Sequence, residues 1–109
     1  MIELYQTEWC PASRRVRQRL TELGIDYLSR QVSADPAKRA ALLAATGASS
    51  VPALVLEDGS ALVGEEEIVE YLDRRYVEPA GAFAHRARAE KARRRYLEEE
   101  CECTQLATR

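Results

Sequence analysis

EWCPAS, residues 8–13, sets a cysteine, a proline and a serine just past a short apolar run, and the segments flanking it decide the fold. Before it, Ile2 to Tyr5 reads as a short strand. After it, Val16, Leu20 and Leu23 recur at helical spacing, and Gly24 is placed to end that helix in a left-handed conformation. Pro11 suits the first helical position because it has no N–H to leave unsatisfied, and this makes Cys10 the N-cap.

Working outward, Ile25 to Val32 reads as a second strand. Asp35-Pro36 opens a second helix by the same cap-then-proline logic, with Leu42 and Leu43 as its apolar contacts and Gly47 as its stop. Val51-Pro52 precedes the apolar run Ala53 to Leu56, and Asp58-Gly59 between this run and Ala61 to Val63 is a strong hairpin signal. Gly64 and three glutamates then lead into Ile68, Leu72 and Tyr76, a helix whose N-terminal dipole favours the acids. The expected fold is α/β, in the order β-α-β-α-β-β-α over residues 1–78. A linker and helical tail, 79–109, follow. The tail holds seven basic residues against five acids, with Phe83, Ala87, Tyr96 and Leu97 as its few anchors. Arg94 and Arg95 are spaced to reach Glu98 and Glu99 one turn on.

At 109 residues the chain makes one domain with an appendage. A net charge of −2 points away from nucleic acid. The start, MIELYQ, shows no charged leader, and no window reaches the roughly 20 apolar residues of a membrane span, so a cytosolic protein without membrane contact is expected. Three widely separated cysteines do not form a secreted disulfide framework, and reactivity is the better reading for at least one. Cys101 and Cys103 flank Glu102 and leave several roles open: metal binding with His85, a strained disulfide, a resolving thiol for Cys10, or two exposed thiols on a frayed end. No metal site is assigned.

A thiol at a helix N-cap meets unpaired N–H groups and the positive end of the dipole, both of which favour thiolate. A buried structural cysteine is the alternative. Trp9, Pro11, Arg14 and Arg15 make a turn-and-basic setting, which favours the reactive thiol.

Taken in order, WCPAS after the first strand, VP before the third and GEEEIVEYL after the hairpin resemble the glutaredoxins and the similar N-terminal domain of glutathione transferases. The resemblance covers Met1 to about Tyr76 and implies a thioredoxin-like fold with a central four-stranded mixed sheet, the tail adding an extra C-terminal helix. It implies Cys10 as nucleophile, and Val51 offering its backbone to the cysteinyl part of glutathione beside a cis peptide at Pro52. Gly64, Glu65 and Glu66 would cradle the γ-glutamyl end, with the helix start facing its carboxylate and Glu66 its ammonium.

Ser13 stands where dithiol enzymes carry a second cysteine, so a local disulfide is excluded, while a mixed disulfide with glutathione is not. Ser13 could instead donate a hydrogen bond to the thiolate. Thr7 stands where the resemblance implies a lysine, which leaves Arg14, Arg15 or Arg39 to meet the glycyl carboxylate. Gly64-Glu65 replaces the Glu-Ser of transferases, and the tail is too short for their helical second domain, so the glutaredoxin side is favoured. The expected function is a glutathione-dependent monothiol oxidoreductase acting on glutathionylated or disulfide-containing proteins. Glutathione, or another low-molecular-weight thiol, is its cofactor. The alternatives are a non-catalytic thiol-binding or redox-sensing module, or a truncated transferase whose helix from Ala82 to Glu100 could be lent to a second copy as a homodimer.

Overall fold

The structure is a computed structural model that describes the backbone of residues 1–107 and the side chains of residues 1–95. The expected order is present: β1 (Ile2–Gln6), α1 (Pro11–Leu23), β2 (Tyr27–Gln31), a 3₁₀ turn (Pro36–Lys38), α2 (Ala40–Thr46), β3 (Ala53–Val55), β4 (Ala61–Val63), α3 (Glu65–Arg75) and α4 (Ala82–Ala107). The strands form one sheet in the order β2-β1-β3-β4, with β1 and β2 parallel and the other pairs antiparallel. This is the thioredoxin-like arrangement.

Strand alternation divides the core between the two faces of the sheet. Leu4 and Leu54 pack with Val16, Leu20, Ile68 and Leu72, so α1 and α3 cover one face. Tyr5 and Ala53 pack with Leu42, so α2 covers the other. Gly24 closes α1 as expected, at φ 68° and ψ 33°, and the N–H of Ile25 donates to the Leu20 carbonyl at 3.0 Å. That capping turn consumes Ile25 and Asp26, which is why β2 begins only at Tyr27.

The single helix expected from Asp35 is instead two pieces. Asp35 caps the turn, its carboxylate accepting the Ala37 N–H at 3.0 Å, but Arg39 leaves helical space at φ −104° and ψ 53° before α2 begins. Seven residues of α2 present one narrow face to the sheet: Leu42 is buried, while Leu43 is 54% exposed.

The tail also differs from expectation. Phe83 is 75% exposed and Ala87 is exposed, so neither anchors it; Ala82 is buried instead. Polar contacts hold α4 to α1: Arg86 pairs with Glu22 at 3.2 Å, and Glu78, between α3 and α4, pairs with Arg19 at 3.1 Å and with Arg86. Arg94 pairs with Glu90 at 3.4 Å, one turn back in the chain. The side chains of Tyr96, Leu97, Glu98, Glu99, Cys101 and Cys103 lie outside the described residues, as do the roles read for them. Among the described residues no helix is long and apolar enough to cross a membrane.

Candidate active site around Cys10

Register alone gathers three loops at one end of the sheet. Tyr5 pairs with Ala53, and Ala53 with Val63. The turn after β1, the loop before β3 and the start of α3 after β4 therefore lie side by side, bringing together Cys10, Val51-Pro52 and Gly64.

Cys10 is the N-cap of α1, with Pro11 in the first helical position. Its sulfur accepts the Ser13 N–H at 3.5 Å, and its carbonyl accepts the Arg14 N–H at 3.0 Å. Ser13 is fully buried, and its hydroxyl oxygen accepts the Thr7 N–H at 3.4 Å, which leaves the hydroxyl proton for the sulfur. The Thr7 hydroxyl is buried without a conventional hydrogen-bond partner, and it too faces Cys10. Burial pushes the Cys10 thiol up. The Ser13 N–H, with the Ser13 hydroxyl, the Ala12 N–H and the Thr7 hydroxyl directed at the sulfur, outweighs it and holds the thiol below its ordinary value.

The turn carrying Cys10 is tied down from behind. Buried Gln6 donates to Glu8 at 3.0 Å and to Ser29 at 2.9 Å, and its oxygen accepts from Arg17. Arg17 also donates to the carbonyls of Thr7 and Glu8, at 3.4 and 3.3 Å. The thiol thus sits on a fixed backbone.

Across from it, the Val51–Pro52 peptide is cis, and the Pro52 carbonyl accepts the Gly64 N–H at 2.9 Å. The N–H and carbonyl of Val51 have no partner among the described residues, so this short edge is free to pair with an extended ligand. Gly64 takes φ 100° and ψ 145° and places no side chain over the start of α3. The first helical bond there runs from the Ile68 N–H to the Gly64 carbonyl, leaving the N–H groups of Glu65, Glu66 and Glu67 to face outward.

The side chains sort differently from the residue types. Glu65 and Arg15 form an ion pair that joins α3 to α1, so neither is free in this state. Glu66 is exposed without a partner among the described residues, and Arg14 is likewise unpaired. Arg39 is buried and donates to two backbone carbonyls.

A cleft of about 820 Å³ opens from Cys10 between α1 and α4, with Trp9, Pro11 and Arg14 on one side and His85, Ala89 and Arg93 on the other. Sequence reasoning missed this wall because periodicity marks a helix without saying where it docks. It also missed Thr7 as a donor; its position three residues before Cys10, just past a strand, was the available signal.

The fold and this arrangement define a thioredoxin-like protein with a single thiol at its helix start. A family model, the glutathione S-transferase N-terminal domain, matches residues 4–80, and the chain belongs to that family. It is 35% identical over 83 residues to maleylacetoacetate isomerase of Pseudomonas aeruginosa, an alignment covering 72% of this chain and 39% of that protein. A glutathione S-transferase of Methylobacillus flagellatus, solved with glutathione bound, superposes with a TM-score of 0.60 at 33% identity, over 69% of this chain and 37% of that one. Glutaredoxin 2 of Salmonella typhimurium, solved in complex with glutathione, superposes at 0.61 and 25% identity, over 67% and 33%. The chain spans about two fifths of the length of its curated relative.

Proposed function

We propose that this protein binds glutathione along the Val51 edge and reduces glutathione mixed disulfides through Cys10. One observation carries the reading: a donor-ringed thiol at a helix start shares one sheet end with an unpaired backbone edge at Val51 and an open helix N-terminus at Gly64. Val51 pairs with the cysteinyl backbone, the N–H groups of Glu65 and Glu66 meet the γ-glutamyl carboxylate, and Glu66 meets its ammonium. Arg14 is the unpaired cation nearest in the chain to Cys10 and serves an anionic group of the ligand.

The chemistry needs one thiol. The Cys10 thiolate attacks the glutathione sulfur of a mixed disulfide R–S–S–G, a new S–S bond forms to Cys10, and the R thiolate leaves and takes a proton from water. A second glutathione, as thiolate, attacks the bound glutathione sulfur, which releases the Cys10 thiolate and oxidised glutathione. In balance, one mixed disulfide and one glutathione yield one free thiol and one glutathione disulfide. Ser13 and Thr7 stabilise the thiolate as attacker and as leaving group.

A second reading is favoured by the α4-walled cleft and by family membership: glutathione bound at the same edge attacks an electrophile held between α1 and α4. The two are separated by assaying reduction of a glutathione mixed disulfide with glutathione as sole reductant, and conjugation of a chlorinated aromatic, on the same sample. Mixed-disulfide turnover that vanishes in Cys10→Ser, with a glutathione adduct on Cys10 in mass spectra, supports the first. Conjugation without disulfide turnover replaces it with the second, and neither activity overturns both.

A further inference from the structure

Arg39 is a buried cation. It is 9% exposed, and none of the described carboxylates pairs with it. Buried charges are ordinarily paired, so a guanidinium whose partners among the described residues are two backbone carbonyls has a positional task that a smaller residue would not perform. Its Nε donates to the Ser33 carbonyl at 2.7 Å, and its Nη1 to the Ser49 carbonyl at 2.8 Å. Ser33 lies just past β2, and Ser49 lies two residues before Val51. The break between the 3₁₀ turn and α2 falls at Arg39 itself, where the backbone leaves helical space.

From these contacts we infer that Arg39 is a positioning residue for the glutathione-binding edge. Its rigid fork ties the exit of β2 to the loop before the Val51–Pro52 peptide, and so fixes where Val51 presents its N–H and carbonyl. This rests on the reading of Val51 as the edge that pairs with glutathione. It differs from a direct salt bridge to the ligand: Arg39 acts through the loop, and its effect does not depend on a carboxylate at the glycyl end. Two carbonyls at fixed separation suit a planar guanidinium, whereas a lysine ammonium on a flexible stem reproduces one bond more readily than both.

The test compares Arg39→Met and Arg39→Lys with the parent in mixed-disulfide turnover, using glutathione and, separately, γ-glutamylcysteine, which lacks the glycyl carboxylate. For Arg39→Met, KM should rise about tenfold, the equivalent of one lost charge-assisted hydrogen bond. The rise should be the same for both thiols, kcat should stay within about twofold, and Arg39→Lys should recover part of the loss. A rise confined to glutathione would make Arg39 a direct ligand contact and overturn the inference, as would an unchanged KM in a folded variant. If Arg39→Met does not fold, Arg39→Lys carries the same comparison, and an unchanged KM there is equally fatal.

Amide hydrogen exchange needs no ligand and separates this inference from the proposed function. The Gly64 N–H, bonded to the Pro52 carbonyl at 2.9 Å, reports on the loop, and the Ile25 N–H, bonded to Leu20 at 3.0 Å, is the reference. A larger increase in exchange, from parent to Arg39 variant, at Gly64 than at Ile25 supports the clamp even if the parent shows no turnover with glutathione. Equal change at both sites overturns it.

Discussion

The Ser13 N–H reaches the Cys10 sulfur at 3.5 Å, while the Ser13 hydroxyl oxygen takes the Thr7 N–H at 3.4 Å. One serine thereby links the thiol to the strand end behind it. Where a second cysteine would have supplied a thiol, this residue supplies hydrogen bonds, and the Cys10 sulfur depends on its surroundings for acidity.

Cys10 alkylation should therefore follow a midpoint below that of an ordinary exposed thiol. Ser13→Ala and Thr7→Val should each move it upward, since each removes a donor that favours the thiolate. The sign extends to stability. With the folded pKa depressed, stability rises with pH between the folded and the unfolded pKa, because the unfolded chain holds the proton more tightly there. The stabilisation is fully present above the unfolded value and is lost as pH falls through the folded one. Denaturant melts across that window should show the slope in the parent and lose it in Cys10→Ser.

Gly64→Ala should destabilise the fold by about 2 kcal/mol, because φ 100° with ψ 145° is a conformation that only glycine adopts freely. A Cβ there meets nothing within 4 Å, so the cost is conformational rather than steric. Gly24→Ala, in the ordinary left-handed region at φ 68°, should cost less, about 1 kcal/mol. Equal costs by urea denaturation would contradict this. Gly64→Ala should also weaken glutathione binding, measured by calorimetry, by displacing the start of α3.

Glu22 is 4% exposed and accepts from Gln18 at 2.9 Å, Arg19 at 2.8 Å and Arg86 at 3.2 Å. Burial raises its pKa, but hydrogen bonds from Gln18, Arg19 and Arg86 together outweigh it and hold the carboxyl low. This stabilisation is present above the unfolded carboxyl value of about 4.3 and is lost as pH falls through the lower folded value. Glu22→Ala should cost about 2 kcal/mol, below the 3 to 5 typical of a wholly buried pair because Arg86 is half-exposed. Thermal melts should show a shallower acid limb in Glu22→Gln than in the parent.

Leu54→Ala should cost about 3 kcal/mol, since Leu54 is fully buried at the centre of the sheet. Phe83→Ala, at a 75% exposed position, should stay within about 0.5 kcal/mol. A large loss at Phe83 in dilute solution would mean that the tail packs differently from the fold described above.

Local rules carried most of the fold because they act within a few residues. Cys10 and Pro11 start α1, Gly24 stops it, Asp58-Gly59 turns the hairpin and the glutamates open α3, each by capping or backbone geometry written in adjacent positions. The same rules failed at Arg39. A cap-then-proline start predicts one helix, but two carbonyls from separate loops draw the guanidinium inward and break the helix at that residue. Phe83 misled in the opposite sense, since hydrophobicity predicts burial only where a neighbour is available to cover it.

By itself, then, the sequence determined the succession of elements and the thiol at a helix start, and it narrowed the family to the glutaredoxins or the glutathione-transferase N-terminal domain, since each resides in short motifs. Tertiary structure alone decided which groups remain free to act. It paired Arg15 with Glu65, committed Arg39 to the loop, left Arg14 and Glu66 open, turned Thr7 and Ser13 toward the sulfur and laid α4 beside it. Partner choice is settled by distances between residues far apart in the chain, and no local pattern encodes those distances.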